Sequence, residues 1–312
     1  MIRFYKSLGG IFEVDRPETG GWTNVINPAA SEIVQLTKEY HVPDDLIQDI
    51  LDTDERPRLE YDDDWTLLIL RIPIQITAPL GVPPFITIPL GIYITTEQII
   101  TICGSDNEVL PSEQPSLYRG QHKQVKDLTN FILNLFLRSA KIYLKYLKQI
   151  NHQSTQIEKE LERSIRNEEL HRLLNMEKSL VYFFTSLRGN ELLLSKFKNS
   201  RLSVLNETNE DLLEDAVIEN KQAVDMVQIY SDIQSGMMDT FASVISNNLN
   251  VVMKRLTSVS IILMIPTLIS SIYGMNVTNY LENPWWAFPA ILSFSAFASI
   301  SVMYIFKKQK FF

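Results

Sequence analysis

The chain has little cysteine, little histidine and no excess of positive charge, and each shortage excludes something. A single cysteine, Cys103, occurs in 312 residues. It allows no intrachain disulfide and no multi-cysteine metal site within one subunit, and it fits a reducing compartment. The formal net charge is −8. A nucleic-acid partner would want a basic face, so none is expected. The acidity suits attraction of cations, and equally suits plain solubility. Four histidines (His41, His122, His152 and His171) are scattered, with no HExxH pair. A GxSxG nucleophile elbow and a P-loop are also missing. The chain therefore reads as a non-enzyme, with no catalytic residue and no catalytic cofactor. Its start, MIRFYKSLGG, places no long apolar core behind a basic end, so no signal peptide is expected and the bulk stays cytoplasmic.

What is present is concentrated near the C-terminus. No charged residue occurs from Leu256 to Leu281, and none from Asn283 to Phe306. The apolar part of the first run, Leu256 to Tyr273, rises about 1.5 Å per residue as a helix and crosses most of a ~30 Å hydrocarbon core. The second run opens on Trp285 and Trp286, which suit the headgroup interface, and carries small residues at helix-packing spacings. Lys254 and Arg255 precede the first run, Lys307, Lys308 and Lys310 follow the second, and Glu282 alone charges the loop. The positive-inside rule places both flanks, and hence both termini, in the cytoplasm of a multi-pass protein of the cell (plasma or inner) membrane. The rival expectation is two buried core helices of a soluble protein.

Residues 1–125 read as mixed α/β. Strands are expected around Ile11–Val14, Trp22–Ile26, Leu67–Ile76, Ile86–Ile94 and Ile99–Ile102, with prolines, Pro73 and Pro89 among them, breaking up the third and fourth regions. Cys103 reads as a buried strand residue. Helices are expected over Ser31–Tyr40 and Pro43–Leu51. After Val125 only Gly189 and Gly236 interrupt before Pro266. This spacing predicts two long helices over about 125–198, with breaks near Gly189–Asn190 and Asn199–Ser203, then one very long helix from about Leu205 to Tyr273.

Steps of four and three along the end of that helix meet Asp239, Ser243, Ser246, Asn250, Met253, Thr257, Ser260, Met264, Thr267 and Ser271. Such steps return to one face. A polar or small face on an apolar membrane helix either packs against helices or meets water. Around a symmetry axis it lines a pore, with oxygen rings at Asn250, Thr257, Ser260 and Thr267 and apolar collars at Met253, Leu256 and Met264. The alternative from spacing alone is a dry coiled-coil seam. Further back, between Glu207 and Asp239, nine acids meet one base, Lys221. Usually this is a solvated face. Yet Asp211, Asp225, Asp232 and Asp239 share a heptad position, and gathered in an oligomer they would repel unless cations lay between them.

At the outer end of the first run stands Tyr273-Gly274-Met275-Asn276. This motif, closing the first of two C-terminal membrane runs and followed by a short loop and a basic tail, resembles the YGMN signature of the CorA magnesium-transporter family. The resemblance extends to Asn250-x-x-Met253-Lys254-x-Leu256-Thr257 and to the whole architecture. It implies a homopentameric funnel of α+β class. Its parts would be a cytoplasmic α/β domain (1–125), a long-helix cytoplasmic stalk (126–255), a pore-lining transmembrane helix (256–273), an outer loop with the GMN motif (274–283), a second transmembrane helix (284–306) and a basic tail (307–312). Gly274, Met275 and Asn276 would form the selectivity filter. Met275 itself reads as loop support, since a thioether is a poor ligand for hard cations. Asn250, Met253, Leu256, Thr257, Ser260, Met264, Thr267 and Ser271 would line the pore.

The resemblance implies passive uptake of Mg²⁺, with Co²⁺ and Ni²⁺ possible cargo, and closure by cytosolic Mg²⁺ held between subunits. Asp239 matches a regulatory acid of the family. Asp49, in Gln48-Asp49-Ile50-Leu51 before Arg56-Pro57, matches its partner, and Asp215 matches a second-site acid by counting back from the motif. Two departures stand out. Gln48 replaces a Glu common in the family, which bears on the second regulatory site, and the loop VTNYLENPWW has Glu282 as its only acid. Within the family the alternative is a carrier of Zn²⁺ or another divalent ion. From another class the alternative is a membrane-anchored coiled-coil scaffold.

Overall fold

The computed structural model describes residues 1–6, 13–17, 20–77, 81–110, 127–163, 167–203, 206–275 and 284–309. They form two compact units, Met1–Gly236 and Met237–Phe312.

The first unit is built on a seven-stranded sheet of order β2-β1-β3-β7-β6-β5-β4. Its strands are β1 (Ile2–Tyr5), β2 (Glu13–Val14), β3 (Trp22–Ile26), β4 (Arg58–Tyr61), β5 (Trp65–Gln75), β6 (Phe85–Thr95) and β7 (Ile99–Cys103). Only β3 and β7 pair in parallel, Trp22 opposite Ile99 through Ile26 opposite Cys103. The chain between them makes α1 (Ala30–Glu39), α2 (Asp44–Leu51) and the β4-β5-β6 meander before returning. Leu36, Tyr40, Val42, Leu46, Ile47 and Ile50 of the α1–α2 segment pack on Val25, Leu67, Ile69, Tyr93, Ile100 and Ile102 of the sheet. The helices α3 (Leu128–Arg163) and α4 (Asn167–Lys198) pack against β5 and β6. Aromatic contacts stitch them down: Phe183 meets Phe85 and Tyr143, and Phe131 meets Trp22. With both faces covered, β5 can be apolar at consecutive positions, and Leu67 through Leu70 are all fully buried.

Of the prolines expected to break up the strands (Pro73, Pro79, Pro83, Pro84 and Pro89), Pro83 and Pro84 do fall in the turn between β5 and β6 and Pro79 lies outside the described residues, but two do not interrupt anything. Pro73 and Pro89 lie inside continuous eleven-residue strands. β4 accompanies β5 only as far as Ile69, and β7 accompanies β6 only from Leu90 onward. Each proline therefore lies where one side of its strand has no neighbour, and its missing N–H costs no ladder bond. Past the end of β4 a side chain substitutes for the absent strand. Asn190 of α4 accepts from the Arg71 N–H (3.0 Å) and donates to the Arg71 carbonyl (2.7 Å).

The expected break at Gly189–Asn190 is also overturned, because α4 runs unbroken from Asn167 to Lys198. Glycine is needed there for space. A Cβ on Gly189 would meet the ring of Pro57. The start of α1 uses Glu32 in place of a capping side chain on Ala29. The Glu32 carboxylate accepts from the Ala29 and Ile2 N–H groups and from the Met1 amine. At its end His41 takes a left-handed φ of 54°, and the Val42 N–H reaches back to the Leu36 carbonyl.

The last elements are α5 (Glu207–Tyr273), which includes Pro266, and α6 (Ala287–Lys308). Sixty-seven residues of α5 correspond to about 100 Å of helix. The second unit consists of its later part and α6.

Candidate functional site

The apolar windows of α5 and α6 are long enough to cross a membrane, and each is only 6% buried. A core helix of a soluble protein would be mostly covered, so that expectation fails. Over residues 256–273 of α5 the least exposed positions are Ser258, Ile262, Ile265, Pro266, Ile269 and Tyr273. Their spacing defines one face. On α6 Ala287, Ile291, Ser295, Ala298, Ser299, Ser301, Val302 and Phe306 do the same, with Ala287 and Ser295 the most buried. Small residues at the covered points are what close helix packing requires.

The polar stripe lies elsewhere. At about 100° per residue, Asn250, Met253, Thr257, Ser260, Met264, Thr267 and Ser271 fall on the face roughly opposite the covered one. All seven are exposed, as is Leu256 beside them. The helix satisfies its own hydroxyls. Ser260 donates to the Leu256 carbonyl and Thr267 to the Leu263 carbonyl, both at 2.9 Å. Ser258, on the covered face, donates to the Lys254 carbonyl at 2.8 Å. Gly274 and Met275 are exposed just past the helix, where the Gly274 N–H still reaches the Ser270 carbonyl. Asn276 and the loop to residue 283 lie outside the described residues.

The acids of the long helix also point outward. Asp211, Asp215, Asp225, Asp232 and Asp239 are all exposed. Asp239 and Asp49 belong to different units of one chain. Among the described residues, no three His, Cys, Asp or Glu side chains are grouped to hold a metal ion. One chain thus supplies carboxylates without assembling a complete set of ligands.

Asp49 itself has a partner that its sequence neighbourhood did not announce. Its Oδ2 accepts from Nη2 of Arg58 at 2.7 Å. The same guanidinium bonds Glu55 through Nη1 and Glu60 through Nε, the latter at 3.1 Å. Partial burial pulls the Arg58 pKa down, but the hydrogen bonds of Asp49 and Glu60 and the charge of Glu55 outweigh it, and the net shift is upward. The segment carrying Glu55 is fixed from beneath by Arg71. Its Nη1 donates to the Thr53 and Glu55 carbonyls, both at 2.7 Å, while Nε and Nη2 reach Thr87 and Ser186. Burial lowers the Arg71 pKa. A cavity of about 660 Å³ opens beside it between residues 54–57 and α4, lined in part by Arg56, Arg188 and Lys196. Spacing alone could not have found Arg58. The only signal was a crowd of five acids with two arginines, Arg56 and Arg58, between Asp49 and Glu60.

A three-layer α/β domain and two uncovered apolar helices, one bearing a polar stripe on its free face, define a membrane protein with two candidate spans. The sequence profile of the CorA-like Mg²⁺ transporter protein family matches residues 18–308, and the chain belongs to that family. It is 28% identical over 296 residues to the cobalt/magnesium transport protein CorA of Methanocaldococcus jannaschii, covering 92% of this chain and 90% of that one. It is 23% identical over 295 residues to the cobalt/magnesium transport protein CorA of Thermotoga maritima, covering 94% and 83%. The fold is similar to the complete structure of the CorA magnesium transporter from M. jannaschii, with a TM-score of 0.79 at 24% identity, covering 98% of this chain and 97% of that one.

Proposed function

We propose that the chain is one subunit of a homo-oligomeric channel, a homopentamer as the family resemblance implies, that admits Mg²⁺ passively to the cytoplasm, with Co²⁺ and Ni²⁺ as further cargo. The observation that carries this reading is the polar stripe on the uncovered face of α5, opposite the face that packs. Copies arranged about an axis would enclose that stripe and give it water. Residues 256–273 would line the pore and 284–306 would form the outer span in lipid. Residues 1–125 and 126–255 would be the cytoplasmic domain and stalk, 274–283 the outer loop and 307–312 the inner tail.

Mg²⁺ gives up its waters reluctantly. Neutral Asn276 side chains with Gly274 and Met275 would recognise the ion through its hydration shell, binding loosely enough to release it. Flow would follow concentration and membrane potential, about 2.3 kcal/mol per charge per 100 mV. The Met253 and Leu256 collars would close it by dewetting. Closure would come from cytosolic Mg²⁺ bridging Asp49 of one subunit and Asp239 of the next, with Asp215 at a second site. Carboxylate oxygens are the hard ligands that Mg²⁺ takes; Asp215 and Asp239 are exposed and Asp49 keeps 45% of its side chain exposed, which leaves all three within reach of a neighbouring copy.

The test is cross-linking to count subunits together with Mg²⁺ flux into liposomes, for wild type and Asn276→Ala. A monomer, or wild-type liposomes no leakier than empty ones, would sink the channel reading. Unchanged competition between Mg²⁺ and Co²⁺ in Asn276→Ala would remove Asn276 from the filter. Unchanged closure by internal Mg²⁺ in Asp49→Asn/Asp239→Asn would end the gating reading.

A further inference from the structure

We propose that Arg58 is a resident counter-cation of the regulatory site: it holds Asp49 when cytosolic Mg²⁺ is low, yields that carboxylate as the ion arrives, and so sets the Mg²⁺ concentration at which the channel closes. This rests on the reading of Asp49 as a Mg²⁺ ligand.

Asp49 lies in the last turn of α2, where the helix dipole favours cations, and α2 has no basic residue in that turn. A lone carboxylate there is poorly placed. Arg58, at the start of β4, supplies the missing charge from across the turn at 2.7 Å. The guanidinium spends one nitrogen on each of three carboxylates, Asp49, Glu55 and Glu60. Three acids around one base leave a formal charge of −2, the deficit that one divalent cation fills.

The arrangement also makes exchange easy. Release of Asp49 costs Arg58 one of three partners, and Glu55 and Glu60 keep it nearby. Glu55 cannot drift, because Arg71 holds its carbonyl and that of Thr53, and the Asp52 N–H closes on Gln48 and Asp49. Asp49 and Glu60 are the open members, each with 45% of its side chain exposed, whereas Arg58 has 29%. An ion can therefore approach Asp49 from solvent while Arg58 withdraws toward Glu55. A guanidinium on Asp49 and a divalent ion on the same carboxylate repel each other, so the two compete.

The full-length protein in detergent, titrated with Mg²⁺ at fixed ionic strength, provides the test. The readout is protection of the cytoplasmic portion from limited proteolysis, with closure of liposome flux as a second measure. Arg58→Gln is expected to reach half-protection at Mg²⁺ lower by about threefold to tenfold. Arg58→Lys should shift it less, and Glu60→Gln, which leaves Arg58 freer to hold Asp49, should shift it to higher Mg²⁺. In the Asp49→Asn background, Arg58→Gln should change nothing further. An unchanged or higher Mg²⁺ requirement in Arg58→Gln, with its unfolding temperature in EDTA near wild type, overturns the proposal and leaves the gating reading standing. If Asp49→Asn alone does not move the titration, the gating reading fails and this proposal with it. Should Arg58→Gln not fold, Arg58→Lys and Glu60→Gln decide, and shifts in the same direction overturn the proposal.

Discussion

Gly189 packs against Pro57 so closely that a Cβ on it would stand 2.7 Å from Pro57 Cγ and 3.0 Å from Cδ. The contact joins the middle of α4 to the segment between α2 and β4. Because a proline ring is tied to its own backbone, it cannot swing aside as a long side chain would.

Gly189→Ala should therefore destabilise the protein even though alanine is the better helix former by about 1 kcal/mol. Overpacking of about 1–3 kcal/mol opposes that gain, and a net loss of a few degrees in unfolding temperature is expected. Gly236→Ala is the comparison, since nothing lies within 4 Å of its Cβ position. It should be neutral or stabilising. Thermal unfolding of both variants in detergent checks the pair, and equal shifts would contradict the steric argument.

Arg71→Met should cost more, about 2–4 kcal/mol. It strips hydrogen bonds from the carbonyls of Thr53, Glu55 and Thr87 and from two hydroxyls at once. Faster amide exchange confined to residues 52–57 and the neighbouring turn of α4 is the expected signature. Uniform loosening of the whole domain would argue against a local clamp.

Acid should loosen the start of α1. The Ala29 N–H bond lowers the Glu32 pKa, with Met1 and Ile2 contributing, against an opposing desolvation penalty. A depressed carboxylate stabilises the fold above its unfolded pKa and loses that contribution as pH falls through its folded pKa. The contribution should thus be complete at neutral pH and fade below about pH 4.5, the ordinary value. Glu32→Gln should lower stability at pH 7 and converge with wild type in acid. A constant gap across that range would refute the assignment.

Cys103 should be inert in the folded protein. It is fully buried, its thiol donates to the Pro89 carbonyl, and burial pushes its pKa up to about 11. Thiol reagents at pH 8 should label it only after unfolding. Prompt labelling of native protein would mean that β7 opens.

Thr267→Val removes one oxygen from the stripe and nearly keeps the shape. The hydroxyl bonds only its own helix, to the Leu263 carbonyl, so little stability should be lost, under about 1 kcal/mol. Mg²⁺ flux in liposomes should fall severalfold, because an apolar ring then meets the ion's water. Unaltered flux would place Thr267 off the pathway.

Much of this molecule could be read before any coordinates. The two spans were legible because charge is absent over long stretches, a signal that needs no tertiary context. The polar stripe was legible because helical spacing is fixed. Gly189 was misread, since glycine inside a helical pattern looks like a break until Pro57, far away in the chain, is seen to need the room. Pro73 and Pro89 were misread for a related reason. Whether proline is tolerated in a strand depends on how far the neighbouring strand extends, and that is a property of the register. β4 was missed because RLEY is short and polar at an edge. The grip of Arg58 on Asp49 was likewise invisible, because it depends on how a turn folds back on its helix.

The way the membrane hydroxyls bond has a consequence for the sign of the charge that can pass. Ser260 and Thr267 each spend their single hydrogen on the turn below. What they turn outward is lone pairs alone. Water bound to a cation points its hydrogens away from the metal and finds acceptors at these two positions, whereas chloride would need donors that neither hydroxyl has left to give. Rings of such hydroxyls would favour cations over anions without carrying a fixed charge of their own.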